Sequence, residues 1–455
     1  MLTRVICVLL FVAWVGEWPR ELDSVMYSGL WRSPFEFFGP LFVPLPGIHM
    51  FTWQLLLVAL APVCLITPRA FRRRPLAMDA AIVTSFGSIA LTFLWGWMRG
   101  GAAYQAYYQL WRFLTALLVG LLLLSVLRKS HHLRALGATV LVAALIRGTL
   151  VPWFYWFHVR GKVEPPPEYM TNHDDSLLFV AAILIVVSWA FAKGRRWAWA
   201  VAALVSMHQL YAIVVNDRRI AWVELALSLA TCYMLIGPGR WRRRVNRWLM
   251  VAAPVALVYV AVGWGREGAL FAPIHALATT GSNADPSSLA RQEEVRNLLY
   301  TMSNNGNPLL GTGWGVPYQK LTSIYANYSA DWVLALYTPH NSLLGLAVFG
   351  GLVGIGGIWL VVPVAAFLGA RGYRWSTHPL DRAAAMVAVA ILPAYSVHCF
   401  GDIGFQSFPG GLVLGVAIAV AGKVFAWTVA PAAAPGARGE RPSEDPQSSL
   451  PETAI

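Results

Sequence analysis

Charged residues are scarce in this chain: Asp, Glu, Lys and Arg together make up 13% of its 455 residues. Soluble domains carry about twice that share, so a soluble fold is excluded. Cysteine is sparser still. Cys7, Cys64, Cys232 and Cys399 all sit in apolar runs and none forms a Cys-x-x-Cys pair, which argues against a disulfide framework and a zinc site. The glycine-rich run Gly311-Thr312-Gly313-Trp314-Gly315 lacks the Gly-Lys-Ser/Thr ending of a Walker loop, and no strand pattern precedes it for a Rossmann fingerprint. Asp-x-Asp, which an enzyme using a nucleotide sugar and Mg²⁺ often needs, does not occur. What the chain has instead is 57% hydrophobic residues, 21 Trp and a mean hydropathy of +0.55. That composition defines a polytopic membrane protein.

Apolar runs long enough to cross a core of about 30 Å as helix predict an all-α protein with about twelve spans, at 3–16, 48–67, 77–98, 106–127, 135–157, 177–192, 197–215, 220–237, 248–264, 341–369, 383–400 and 408–430. The first also fits a signal peptide, but no small-x-small cleavage site precedes Glu17, and an uncleaved span is the preferred reading. Basic residues accumulate at Arg69 with Arg72 to Arg74, at Arg128, Lys129 and Arg134, at Lys193, Arg195 and Arg196, from Arg240 to Arg247, and at Arg371, Arg374 and Arg382. These clusters alternate with the spans as cytoplasmic loops do, so the net charge of +13 is a topology signal and not a sign of nucleic-acid binding. The expected organisation is nine spans over 1–264, one large extracytoplasmic loop over 265–339, three spans over 340–430, and a disordered tail over 431–455, with both termini cytoplasmic.

Three sets of residues on the extracytoplasmic side carry chemistry. In Asn216-Asp217-Arg218-Arg219, Asn216 or Asp217 can cap the eighth span, leaving two guanidiniums beside free helix N–H groups. This is a phosphate site or, on the plain reading, a pair of arginines reaching lipid head groups. Within the loop, Asp285-Pro286-Ser287-Ser288 starts a helix running to Met302. At about 100° per residue Arg291 shares a stripe with Val295, Leu298 and Met302, whereas Arg296 points roughly 140° away. Arg291 is thus expected on the buried face and Arg296 on the solvated one. Glu293 and Glu294 are local candidates to pair with Arg291, the alternative to a ligand. The glycines that follow, at 311, 313 and 315, allow tight turns or close approach to a ligand. Last comes His340, after Pro339 at a helix start whose dipole disfavours protonation. The expectation is a neutral imidazole able to accept a proton, against a reading as a cap or interfacial residue.

Other charges are less specific. Arg112, Arg147 and Glu224 fall within spans, where they must form internal ion pairs or line a cavity. His173-Asp174-Asp175 is read as a helix-start cap in preference to a metal site. Asp402, between the last two spans, can pair with an arginine or assist a base.

The arginine turn, Arg291 followed by Asn307-Pro308-Leu309-Leu310-Gly311-Thr312-Gly313, and Pro339-His340-Asn341 entering a Gly-rich span together resemble the O-antigen ligase and polymerase superfamily. The resemblance covers about residues 197–410. It implies a bacterial inner-membrane enzyme that transfers glycan from an undecaprenyl diphosphate-linked donor to a glycan or lipid-linked acceptor on the periplasmic side, without cofactor or metal. In its terms Arg219, followed by Ile220-Ala221-Trp222, looks like the family's span-end arginine, although Arg218 stands where many members have Ser, which leaves the two in competition. Arg291 looks like the loop arginine and His340 like the essential histidine. Catalytic roles thus fall to His340, Arg291 and Arg219, and substrate-binding roles to Arg218, Arg296 and Asp402. An aromatic residue often follows the loop arginine by a turn. Here Val295, Arg296 and Asn297 stand there, which resembles exopolysaccharide polymerases more than lipopolysaccharide ligases. A transporter or flippase for a lipid-linked oligosaccharide is the competing class. It would be expected to show repeated halves, and none is evident.

Overall fold

The computed structural model describes residues 1–16, 42–45, 48–66, 74–162, 170–171, 174–266, 286–321 and 336–429, with Phe271, Ile274 and Ala278. The expected tail at 431–455, His173, and much of the 265–339 loop lie outside the described residues.

The helices are α1 (Leu2–Gly16), α2 (Thr52–Ile66), α3 (Leu76–Met98), α4 (Ala103–Val126), α5 (Ser130–Phe154, continued by a π turn at Tyr155–Val159), α6 (Asp175–Lys193) and α7 (Arg196–Val215). They continue as α8 (Arg219–Leu235), α9 (Arg240–Gly263), α10 (Pro286–Asn305), α11 (Ser342–Val353, then a π segment Gly354–Ile358), α12 (Val361–Trp375), α13 (Pro379–Gly401) and α14 (Phe408–Val429). A small antiparallel hairpin, β1 (Phe42–Leu45) with β2 (Ile48–Phe51), is an addition to the all-α expectation.

Among the described residues nine helices are long and apolar enough to cross a membrane, with Ser342–Trp375 counted as one. The other three expected spans coincide with α1, α2 and α8, which have 15, 15 and 17 residues. At 1.5 Å per residue these fall short of a core of about 30 Å.

The interior is built on α14, which packs against α4, α6, α12 and α13. Small residues set the crossings: a Cβ on Gly415 would lie 2.5 Å from the carbonyl oxygen of Ala116 in α4. An aromatic cluster of Phe113, Trp359, Tyr395 and Phe405 fills the end of the bundle nearest His340, with Phe113 and Phe405 edge to face at 4.7 Å. By contrast α9 lies at the periphery and shows Trp248, Met250, Val255 and Leu257 to its surroundings, as lipid contact requires.

The span containing α11 is interrupted. Gly351 takes φ 58°, and the backbone groups freed by the break are paired with the glycine-rich loop. Thr312 and Gly313 donate to the carbonyls of Val348 and Phe349 (2.8 and 3.0 Å), while Leu352 and Val353 donate to those of Pro308 and Leu309 (3.0 and 2.9 Å). Irregular backbone is tolerated at membrane depth only when protein satisfies it in this way. Gly313, at φ 88°, packs so closely on α3 that a Cβ would lie 2.2 Å from the Gly96 Cα. Trp314 is buried beside it and donates to Thr92 Oγ1 at 2.8 Å. Gln109 of α4 completes the seat, accepting from Gly315 N–H (2.7 Å) and donating to Tyr337 O (2.6 Å). These glycines therefore serve close approach to protein backbone.

Arg112, Arg147 and Glu224 are each held by protein groups. Arg147 meets Asp175 through Nε and Nη2 at 3.0 and 2.6 Å, and Thr171 Oγ1 donates to the same carboxylate at 2.8 Å. Arg112 donates to the Gln406 carbonyl and lies over the Phe408 ring at 4.8 Å. Glu224 meets His398, described below. Two capping expectations are overturned. Asn216 turns its side chain to accept from Met170 and Thr171 N–H (2.9 and 3.1 Å), Asp217 takes φ 48°, and Arg218 occupies the cap position of α8. Asp174 stands at the cap position of α6 but its side chain makes no cap bond, and Asp175 is held by Arg147. In both cases a distant partner outcompetes the local helix end.

Candidate active site

The site forms where α8, α10, α11 and α13 meet. The buried stripe of α10 consists of Glu294, Asn297, Leu298 and Thr301, while Leu299 and Met302 are 50% and 38% exposed. The apolar spacing read from the sequence therefore misplaces the buried face by part of a turn, because its buried residues are mostly polar. Their hydrogen bonds explain why. Asn297 Oδ1 accepts from Leu321 N–H at 3.0 Å and Thr301 Oγ1 from Gln319 N–H at 2.8 Å, so the helix pins the chain that follows the glycine-rich loop.

Glu294 performs the same service at the site. One carboxylate oxygen lies 2.9 Å from His340 Nδ1, and the other accepts from Asn341 N–H at 3.2 Å. Asn341 caps α11 by accepting from Leu344 N–H at 2.9 Å, so His340 enters on a defined helix start. The His340 side chain is 40% exposed and that of Glu294 9%. With Glu294 accepting at Nδ1, His340 presents Nε2 for other contacts.

The protonation expectation for His340 is corrected. Burial pushes its pKa down, but the Glu294 hydrogen bond and charge and the Asp402 charge push it up against the opposing Arg291. The result lies above the ordinary 6.5. A hydrogen-bonded carboxylate outweighs the helix dipole that the sequence suggested.

Asp402 ends α13, its N–H bonded to His398 O at 2.9 Å. Ser342 Oγ, two residues after His340, donates to its backbone oxygen at 3.3 Å and accepts from Phe405 N–H at 3.3 Å. Arg218 Nη2 lies 3.8 Å from Asp402 Oδ2, and Arg218 is mostly covered, with 17% of its side chain exposed. The structure thus brings together His340, Glu294, Asp402 and Arg218, with Arg291 near enough to act on His340 electrostatically.

Arg219 is exposed at the first residue of α8, and Arg296 is exposed on the far side of α10 from Glu294. Arg291, expected on a buried face, is also exposed. It flanks the polar stripe, on the same side as Glu294 but beyond the covered part of the helix. Glu294 pairs with His340 in place of Arg291.

Two roles are not legible in the sequence. Glu294 and Glu293 are equal candidates to pair with Arg291 there, and nothing local points Glu294 to His340. His398, fully buried in α13, has Nδ1 2.7 Å from Glu224 Oε1 and Nε2 3.3 Å from Asp174 Oδ1. An ionisable residue inside a span was the available signal.

The fold and site define a polytopic helical membrane protein with a polar, histidine-bearing site at one end of its bundle. Residues 205–359 match the family model described as O-Antigen ligase, which supports placing the chain in the O-antigen ligase-related superfamily. The match runs from α7 through Arg218, α10, the glycine-rich loop and His340 to the π segment after Gly351. No curated protein matches the chain.

Proposed function

We propose that this protein is a glycosyltransferase of the inner membrane that transfers or polymerises glycan from an undecaprenyl diphosphate-linked donor at the periplasmic face. The observation that carries the reading is the Glu294–His340 pair beside the Arg218–Asp402 pair. Glu294 holds the imidazole at Nδ1 and leaves Nε2 to take a proton, the arrangement that activates a hydroxyl nucleophile.

In the proposed step an acceptor hydroxyl attacks the anomeric carbon of the donor sugar and its proton passes to His340 Nε2. The bond from that carbon to the diphosphate oxygen breaks, and the electron pair stays on the diphosphate. Attack opposite the leaving group inverts the anomeric centre. Guanidiniums at Arg218 and Arg291, with Arg219 at the helix start, stabilise the departing charge, each worth on the order of 10²-fold in rate where it is a main electrostatic contributor. Metal is not required by this scheme. The acceptor, whether a second lipid-linked glycan or lipid A core, selects between polymerase and ligase.

The test is transfer by purified protein in nanodiscs from an undecaprenyl diphosphate oligosaccharide, with and without EDTA. His340→Ala should abolish transfer in correctly folded protein, and EDTA should leave the wild type active. No transfer to any acceptor, with lipid-linked glycan crossing the bilayer instead, would replace the enzyme with a flippase.

A further inference from the structure

The buried His398 sits between the two helices that carry Arg218 and Asp402. Helices α8 and α13 pack antiparallel, and three contacts follow one another along their seam. Nearest the site, a Cβ on Gly401 would lie 2.6 Å from Ile220 Cδ1. About one turn deeper, His398 Nδ1 meets Glu224 Oε1 at 2.7 Å. Deeper again, Ser228 Oγ donates to Ala390 O at 3.1 Å. Arg218 and Asp402 lie just beyond the first contact, at the start of α8 and the end of α13, and Asp402 N–H is bonded to the carbonyl of His398 itself.

The second ring nitrogen of His398 reaches Asp174 at the start of α6, so one imidazole ties three helices. His398 and Glu224 are each 0% exposed and Asp174 is 3% exposed. Ser176 Oγ also donates to Glu224 Oε1, at 3.4 Å. Both ring nitrogens are used by carboxylates, which leaves His398 no atom to offer a substrate. Its influence on chemistry must pass through geometry.

We propose that His398 is a positioning residue for the diphosphate: through Glu224 it fixes the register of α8 on α13 and thereby holds Arg218 against Asp402, where the leaving group develops its charge. This rests on the glycosyl-transfer reading above. A displacement of about 1 Å at a charge-stabilising group can cost on the order of 10²-fold in rate, so a partner fully out of reach of the substrate can still control turnover.

His398→Ala would leave Glu224 and Asp174 buried without their shared hydrogen-bond partner and is at risk of not folding. Glu224→Ala and Glu224→Gln therefore carry the test, since Gln keeps an acceptor for Nδ1–H and Ala does not. Both are purified in nanodiscs as monodisperse protein, and steady-state transfer and binding of glycan-free undecaprenyl diphosphate are measured beside wild type. Glu224→Ala should lower kcat about ten- to a hundredfold and weaken diphosphate binding about tenfold, with KM for the acceptor unchanged. Glu224→Gln should recover most of both losses. Wild-type kcat and wild-type binding in the Ala variant would overturn the proposal, as would a Gln variant no better than Ala. If wild type binds the lipid diphosphate in a Glu224-dependent manner but transfers no glycan, the transfer reading fails and the positioning role stands. If wild type neither transfers nor binds, both fail.

Discussion

A single carboxylate sets the chemistry of His340. Glu294 offsets the burial that favours the neutral ring, and with Asp402 it lifts the imidazole above its ordinary 6.5 against Arg291. A base must be deprotonated to act, so transfer should rise with pH through a midpoint above 6.5. Glu294→Gln removes both the charge and part of the hydrogen bond that raise this group, while burial and Arg291 remain. Its midpoint should therefore fall below that of the wild type, and kcat should drop by about 10²-fold, because the amide no longer fixes the ring. A pH–rate profile of the two proteins checks both; an unchanged midpoint would remove Glu294 from the mechanism. The same shift bears on stability with a definite sign. The contribution is complete below the unfolded pKa and is lost as pH rises through the raised folded value.

Among the elements, the glycine-rich loop does the most to hold the site together. It repairs the break at Gly351 and lies against α3 and α4, so that α11, which begins just after His340, is braced from the side. Gly313→Ala would place a Cβ 2.2 Å from the Gly96 Cα at a φ of 88°, a position with nowhere to move because both neighbours are backbone. The left-handed conformation alone costs about 1–2 kcal/mol for an L residue. The melting temperature of the detergent-solubilised protein should fall by several degrees, and scanning fluorimetry reads this directly. Gly87→Ala in α3, where nothing lies within 4 Å of the added Cβ, should not lower it and should raise it slightly, because Ala favours the helix over Gly. From the sequence these glycines permitted either close approach to a ligand or a tight fit to protein. The choice depended on where α3 and α11 pass, which no local pattern encodes.

For the molecule as a whole, orientation in the membrane follows from the placement of charge. The Arg and Lys clusters around the α4–α5, α6–α7 and α12–α13 turns and at the start of α9 lie at the end of the bundle opposite His340, and the positive-inside rule predicts that this end is cytoplasmic. Cysteine labelling tests this, because the native thiols are buried or half-buried. Ser303→Cys, exposed on α10, should react with a membrane-impermeant maleimide in intact spheroplasts. Lys129→Cys, exposed between α4 and α5, should react only after permeabilisation. The reverse pattern would invert the protein and move its site to the cytoplasm.

Span positions were legible because hydropathy is a local sum, and a helix in a bilayer needs only its own residues to satisfy its backbone. The shortfall at α1, α2 and α8 is an end effect, since helix ends depend on neighbours that the sum does not include. Local residues offered Arg218, Arg219, Arg291, Arg296, His340 and Asp402 as candidates, each unusual against an apolar background. Tertiary structure alone decided that Glu294 faces His340 and not Arg291, that Arg218 meets Asp402, and that Glu224 meets a histidine 174 positions away. The physical reason is common to all three. A buried polar or ionisable group takes whichever partner the packing brings within reach, and that is a property of how helices cross and not of what stands next in the chain.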